Sequence, residues 1–511
     1  MASKRAFFRT GSAAAGVLAA VLATSVAAGC APLPTAGPPL AVSRNGAGSG
    51  GDGTAIPTPG EAPKSWSDSL SRIPDSASFS PCPELDSPVP DGVTRECMPF
   101  DPAGQLAGHG QPLYAALLTS DSANRSKPPL VISSGPDRLF SAVVDSWART
   151  VADGLSWPVL VVEPRTQFLG RKTCDPAVEE VSDTVAAEDD GPDSPTVRDS
   201  VAALARGCQD GTGDMQTDFD ASGHADDLAS LATKLGLEHM ALGGTGAGAS
   251  AAALFATAHP EAVAAFLADS PTPFGGKLED TVSARAEGSQ MALAAWLADC
   301  RASRCLGDTA LPGGSSVDVN TEELSARDAA ALRVGRDALS GVTTASPSER
   351  TDLYRILAGE LTGGSSSSTV PASDANTREL FTTCLDNPER PAADALPGVL
   401  DDLGSRFPTF GREVGARAAL CSDWPVVQSP DYALPAVPTL VTGTTAGDPL
   451  AGSDPAGAGS AALTAAGAAS AIPLRYGGYG SVAVGTGRCI ADGVQAFLDD
   501  PAKATPTACP A

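Results

Sequence analysis

The sequence predicts an α/β fold: a mainly parallel sheet flanked by helices, with a helical insertion covering one end of it. Three observations carry this expectation. Short apolar runs alternate with stretches of helical apolar spacing. A strand, a glycine-rich turn and a helix follow one another around residues 240–259. Between residues 277 and 426 the strand-like runs give way to helical segments and Gly/Ser-rich loops.

In chain order, residues 129–133 and 157–162 are short apolar runs of the kind that form buried strands. Residues 139–155 between them have helical spacing, and residues 221–235 give another helix leading to a strand at 240–242. After the glycine turn come a helix at 249–259 and a strand at 262–268. The insertion is expected to contain helices at 284–302, 324–339 and 348–361. The sheet resumes at 438–442, followed by an Ala/Gly-rich helix, a strand at 472–476, a helix at 494–498 and a Pro-rich tail. This gives a sheet core in two parts, 66–276 and 427–511, around a helical insertion at 277–426.

The first 65 residues belong to neither part. Lys4, Arg5 and Arg9 precede an apolar stretch from Gly11 to Val26, and Ala27-Ala28-Gly29 leads into Cys30. A basic start, a short apolar centre and small residues before a cysteine are the marks of a lipoprotein signal at 1–29, with Cys30 the lipidated residue. The apolar stretch is short for a membrane span. Ser3–Arg9 also bears a weaker likeness to a twin-arginine export motif. Residues 30–65, rich in Gly, Pro, Ser and Thr, form a tether that cannot bury a core. The expected location is the outer face of the cell membrane, or outside the cell.

The chain of 511 residues has a net charge of −26. The leader carries three bases and no acid, so the remainder sets 31 bases against 60 acids, a net charge of −29. Such a balance excludes nucleic acid as a partner, because phosphate recognition needs basic groups. Its plain consequence is solubility.

The chain has eleven cysteines. Setting Cys30 aside leaves ten, an even number that in an exported chain points to disulfides. Pairing nearest neighbours is the economical expectation: Cys82 with Cys97, Cys174 with Cys208, Cys300 with Cys305, Cys384 with Cys421, and Cys489 with Cys509. Each bridge is worth roughly 2–4 kcal/mol if unstrained. No cysteine or histidine spacing suggests a metal site, and no cofactor is expected.

Gly244-Thr-Gly246-Ala-Gly248 has the frame of the Gly-x-Ser-x-Gly nucleophile elbow, with glycine at its centre. The motif puts small residues around a strained strand-to-helix turn so that the nucleophile stands clear. Gly246 has no side chain with which to attack. The same glycines match a dinucleotide fingerprint, with Asp269 in place for a ribose, but that motif alone is weak.

Further marks resemble the exported α/β-hydrolases related to tripeptidyl aminopeptidases, with a TAP-like C-terminal region. They are Cys82-Pro83, Glu96-Cys97, the Glu163-Pro-Arg-Thr-Gln-Phe-Leu-Gly-Arg171 stretch, Cys174, Cys208, Cys421-Ser-Asp-Trp-Pro425 and His259-Pro-Glu-Ala-Val263. The likeness runs from about Cys82 to Cys509 and implies an α/β-hydrolase fold with a lid and nearest-neighbour disulfides.

The resemblance also locates what is missing. It places the nucleophile fourteen residues before Pro260, at Gly246, and the triad histidine at Tyr479 in Tyr476-Gly-Gly-Tyr-Gly480. Asp448 keeps an Asp-Pro near the acid position, two residues late. Hydrolases of this fold run nucleophile, acid, histidine. All four histidines (His109, His224, His239 and His259) precede Asp448. Losing serine or histidine from such a triad costs on the order of a million-fold in turnover. The family's oxyanion loop is replaced by Ser133-Ser-Gly-Pro-Asp-Arg138, where an inward Asp137 would oppose a developing oxyanion.

Other candidates do not repair the triad. Thr245 should point away from the apex and Ser250 along the helix, with no histidine to activate either. Tyr479, with an ordinary pKa of about 10, is a poor base and is expected instead to fill space left by the triad. Gly135, Thr245, Gly246, Ala247 and Tyr479 would line what remains of the site. The expected function is a non-catalytic surface lipoprotein binding a small peptide, an acyl ligand or a cell-envelope protein, with its lipid anchor in the membrane. The alternatives are an active aminopeptidase or esterase with an unorthodox nucleophile, and a structural envelope lipoprotein.

Overall fold

The computed structural model describes residues 66–83, 85, 87–107, 111–120, 127–187, 194–304, 326–341, 374–425, 428 and 430–511. The expected leader and tether, Cys30, His109, Cys305 and the helix expected at 348–361 lie outside them.

A nine-stranded sheet organises the chain: β1 (Val93–Phe100), β2 (Leu113–Ser120), β3 (Leu130–Ser133), β4 (Val159–Val162), β5 (Met240–Thr245), β6 (Val263–Asp269), β7 (Pro438–Thr444), β8 (Ser470–Tyr476) and β9 (Thr507–Cys509). Their order is β1-β2-β4-β3-β5-β6-β7-β8-β9. Only the β1–β2 and β2–β4 pairings are antiparallel. This is the mainly parallel sheet that the sequence pattern predicts, in the α/β-hydrolase arrangement that the resemblance implies. Every residue of β3, β4 and β5 is buried, which explains why they read as continuous apolar runs: parallel strands are covered on both faces.

Helices α1 (Phe140–Ala152), α2 (Val178–Ala187), α3 (Pro195–Thr212), α4 (Ala221–Leu235) and α5 (Gly248–Ala258) follow in sequence. The bounds of α4 have clear local causes. Asp220 accepts a hydrogen bond from Gly223 N at 2.8 Å as N-cap, and Gly236 ends the helix in the left-handed conformation at φ 63°. Between β6 and β7 the chain leaves the sheet for α6 (Leu278–Ser303), α7 (Ala326–Gly341), α8 (Asp374–Asp386), α9 (Leu396–Arg406) and α10 (Gly411–Leu420). It then returns through β7, α11 (Pro455–Ala465), β8, α12 (Arg488–Asp499) and β9.

One apolar cluster, including Trp147, Val161, Leu267 and Phe497, lies on the α1 and α12 side of the sheet. Another, including Leu160, Leu231, Leu242 and Phe266, lies on the α4 and α5 side. The helical insertion has its own core around Trp296, Phe381, Phe410 and Trp424. It also contains a buried ion cluster. Glu379 accepts from Arg285 at 3.2 Å and Arg417 at 2.8 Å, while Arg336 lies 3.2 Å from Glu413.

Bridges join Cys82–Cys97, Cys174–Cys208, Cys384–Cys421 and Cys489–Cys509, four of the five expected pairs. Cys300 is disulfide-bonded too. Such bonds are compatible with an exported protein. No described helix is long and apolar enough to cross a membrane. Two edge features escape the sequence patterning. The β1–β2 hairpin carries Arg95, Glu96 and Pro99 among its apolar residues, and β9 lies within the Pro-rich tail, tied to α12 by Cys489–Cys509.

Candidate functional site

The glycine turn joins the C-terminal end of β5 to α5, at the edge of the sheet where ligands of α/β proteins gather. Gly246 sits at the apex with φ 59°, a conformation that disfavours other residues. Gly246 N donates to Asp269 O at 2.9 Å, and its carbonyl accepts from Ala249 N at 3.2 Å. The strand-to-helix turn that serves an elbow nucleophile is therefore in place around a residue with no side chain.

Two side chains from the β3–α1 loop occupy the space above it. A Cβ at Gly246 would lie 2.8 Å from both Asp137 carboxylate oxygens and would also meet Arg138 Nε. Asp137 Oδ1 accepts the Ala247 N–H at 3.0 Å. In hydrolases of this fold, the amide after the nucleophile and one from the β3–αA loop form the oxyanion hole. Asp137 thus points inward, onto the amide that such a hole would use. The space directly above Gly246 is taken by Asp137 and Arg138. Tyr479 is buried with the core of the helical insertion.

Arg138 links the loop to the segments that follow β6 and β7. Its Nη2 lies 3.4 Å from Asp448 Oδ2 and 3.4 Å from Ser270 O, while Nε lies 3.7 Å from Asp137 Oδ2. Asp448 is fully buried, and its Oδ1 accepts from Leu450 N at 2.7 Å and Ala451 N at 3.1 Å. The register that put it two residues late did not prevent its reaching the site. Its loop is pinned to α6 through Arg285 Nε on Leu450 O and Ser289 Oγ on Pro449 O. Asp269, at the end of β6, accepts from Thr442 Oγ1 at 2.7 Å and Ala483 N at 3.1 Å. It is enclosed by protein, not placed as a ribose ligand.

Burial dominates the electrostatics. It pushes Asp448 up to about 6, against the opposing pull of Arg138, and raises Asp269 despite its donors. Burial would lower Arg138, but Asp448, Asp137 and Asp269 together outweigh it and raise the guanidinium pKa. One guanidinium thus faces three carboxylates in a buried site. Among the described residues, no group of three or more His, Cys, Asp or Glu could hold a metal ion.

The other candidates have structural surroundings. Thr245 is buried and accepts from Trp147 Nε1 at 3.4 Å, away from the apex. Ser250 lies buried on the first turn of α5. Gly135 packs where a Cβ would meet Asp137, Thr245 O and Ala247 N, so a larger residue would disturb the loop. His224 is buried on α4 with Nδ1 accepting from Arg165 N, and burial and Arg165 hold its pKa well below the usual value. Arg138 and Ser270 were not anticipated. Ser270, at φ 44°, carried no signal in the sequence; Arg138 stood beside Asp137, but its partner Asp448 is 310 residues away.

No protein-family model matches the chain, and no curated protein matches it. Solved structures similar to it include an esterase from Rhodococcus, at 14% identity and TM-score 0.37, covering 79% of this chain and 98% of its own. An epoxide hydrolase from an endophytic Streptomyces is 14% identical, with TM-score 0.32 and coverages of 83% and 99%. An α/β-hydrolase-fold protein from Nakamurella multipartita is 12% identical, with TM-score 0.33 and coverages of 80% and 99%. Likenesses this distant concern the fold alone.

Proposed function

We propose that this chain is a non-catalytic α/β-hydrolase-fold lipoprotein of the cell surface, related to the tripeptidyl aminopeptidases, and that it works by binding a cell-envelope protein. Gly246 and Tyr479 stand where the triad serine and histidine belong. The single observation that carries the reading is the Asp137 carboxylate on Ala247 N–H, above Gly246. A carbonyl substrate would need that same amide and that same space. With the elbow filled from within, a protein partner on the outer surface is favoured over a small peptide or acyl ligand at the elbow.

Catalysis is tested by turnover of aminoacyl and tripeptidyl chromogenic substrates together with fluorophosphonate labelling and intact mass. The proposal expects neither turnover nor a mass shift. A stoichiometric adduct that abolishes turnover would establish the active-hydrolase alternative, and mapping it would identify the nucleophile. Anchoring is tested by fatty-acid labelling in cells: Cys30→Ser should remove the label and release the chain from membranes. Crosslinking on intact cells separates a binding role, which gives one recurrent partner, from a structural one.

A further inference from the structure

The elbow has kept more than its shape. Ala247 N–H stands at the N-terminal end of α5, an eleven-residue helix whose partial positive charge favours an anion. Arg138, with its side chain only 4% exposed, lies over the same turn. Gly248 lets the loop backbone at Ser133–Gly135 pack directly against the start of the helix. These groups form a cradle for a carboxylate, and a carboxylate is in it.

The fit of that carboxylate is incomplete. Asp137 Oδ2 receives no hydrogen bond, and Arg138 Nε and Nη1 donate none, although all three atoms are buried. Ser134 Oγ on the same loop and Ser270 Oγ after β6 are buried without a hydrogen-bond partner as well. Asp137 and Arg138 are adjacent in sequence, so one short loop must supply both anion and cation. The nearest approach it achieves between them is 3.7 Å, too long for a hydrogen bond. A carboxylate free of the backbone would not have this restriction.

From this we infer that the elbow is a carboxylate-binding site occupied by the chain's own Asp137, an internal ligand that shuts it against small carboxylates. The inference rests on the proposed loss of catalysis at the same turn, and it adds the ligand class and the residue that competes for it. Removing the Asp137 side chain leaves Ala247 N–H without its acceptor and Arg138 with one fewer counter-charge. A small carboxylate entering that space restores both.

The test is rescue of Asp137→Ala by formate, read as thermal unfolding of the mature chain in sodium formate and in sodium chloride of equal ionic strength. The variant should melt several degrees below wild type in chloride, and formate should recover a large part of the loss. Wild type should respond alike to the two salts. Adding Arg138→Met to Asp137→Ala should abolish the formate-specific gain. Equal responses of the single variant to formate and chloride would overturn the inference, as would a formate gain that survives loss of Arg138. If Asp137→Ala does not fold in chloride, folding in formate alone supports the site; failure in both passes the same comparison to Asp137→Ser. Fluorophosphonate labelling of wild type decides the catalytic question separately, so failure of one reading is not failure of the other.

Discussion

Asp137 Oδ1 accepts a hydrogen bond from Ala247 N–H at 3.0 Å across 110 residues of chain. This contact makes the side chain of one loop the occupant of a turn that, with serine at its apex, would bind a reacting carbonyl. Replacing one residue at the apex is therefore not enough to reopen the site.

Gly246→Ser should not create a hydrolase. The new side chain would meet Asp137 and Arg138 in a backbone conformation with φ 59°. Left-handed strain at a non-glycine residue costs about 1–3 kcal/mol before any clash is counted. Thermal denaturation should show a clear loss of stability, with no fluorophosphonate adduct. Labelling of this variant would mean that the loop yields readily and that a base is close by.

Arg138→Met should be among the costlier substitutions in the sheet domain. It leaves buried Asp137, Asp448 and Asp269 without their shared cation. Breaking a buried ion pair costs about 3–5 kcal/mol. Urea unfolding should show the loss to be greater at pH 8 than at pH 5, because burial already raises Asp448 and Asp269 and their protonation relieves the missing cation.

Asp448 makes a defined contribution to the pH profile. Its folded pKa, about 6, is raised by burial above the ordinary aspartate value. The folded state then holds its proton more tightly than the unfolded state. Asp448's favourable contribution is complete below the unfolded pKa, near 4, and disappears as pH rises through about 6. Glu379 acts in the opposite sense: burial would raise it, but Arg417, Arg336 and Arg285 hold it down to about 2. Its contribution is present above the usual glutamate range and is lost as pH falls toward 2. Unfolding followed from pH 3 to pH 8 should flatten between 4 and 6 in Asp448→Asn relative to wild type. An unchanged slope there would rule out the assignment to Asp448.

Glu379→Gln should destabilise the helical insertion without opening the elbow. Glu379 faces Arg285, Arg336 and Arg417, all buried. Removing its charge leaves them with Glu413 as the chief remaining carboxylate, a loss of about 3–5 kcal/mol. The urea midpoint should fall, whereas formate should still give no specific stabilisation while Asp137 is present.

Local chemistry made much of the fold legible. Asp220 and Gly236 mark the ends of α4 because capping and left-handed termination depend on neighbouring residues. The glycine turn at 246 was readable because only small residues fit between strand and helix there, and its missing side chain followed from the sequence directly. The β1–β2 hairpin was obscured because an edge strand, covered less completely than a central one, tolerates polar residues and proline.

By itself, the sequence determined the α/β class, the cysteines available for pairing and the glycine at the centre of the turn. These depend on residue type, spacing and local backbone preference. Only the tertiary structure decided what occupies the space above Gly246. Asp137 and Arg138 could have faced solvent from a surface loop. Packing of β3 beside β5 instead brought them over Gly246 and within reach of Asp448, because contacts between residues 110 and 310 positions apart are set by how the sheet is ordered.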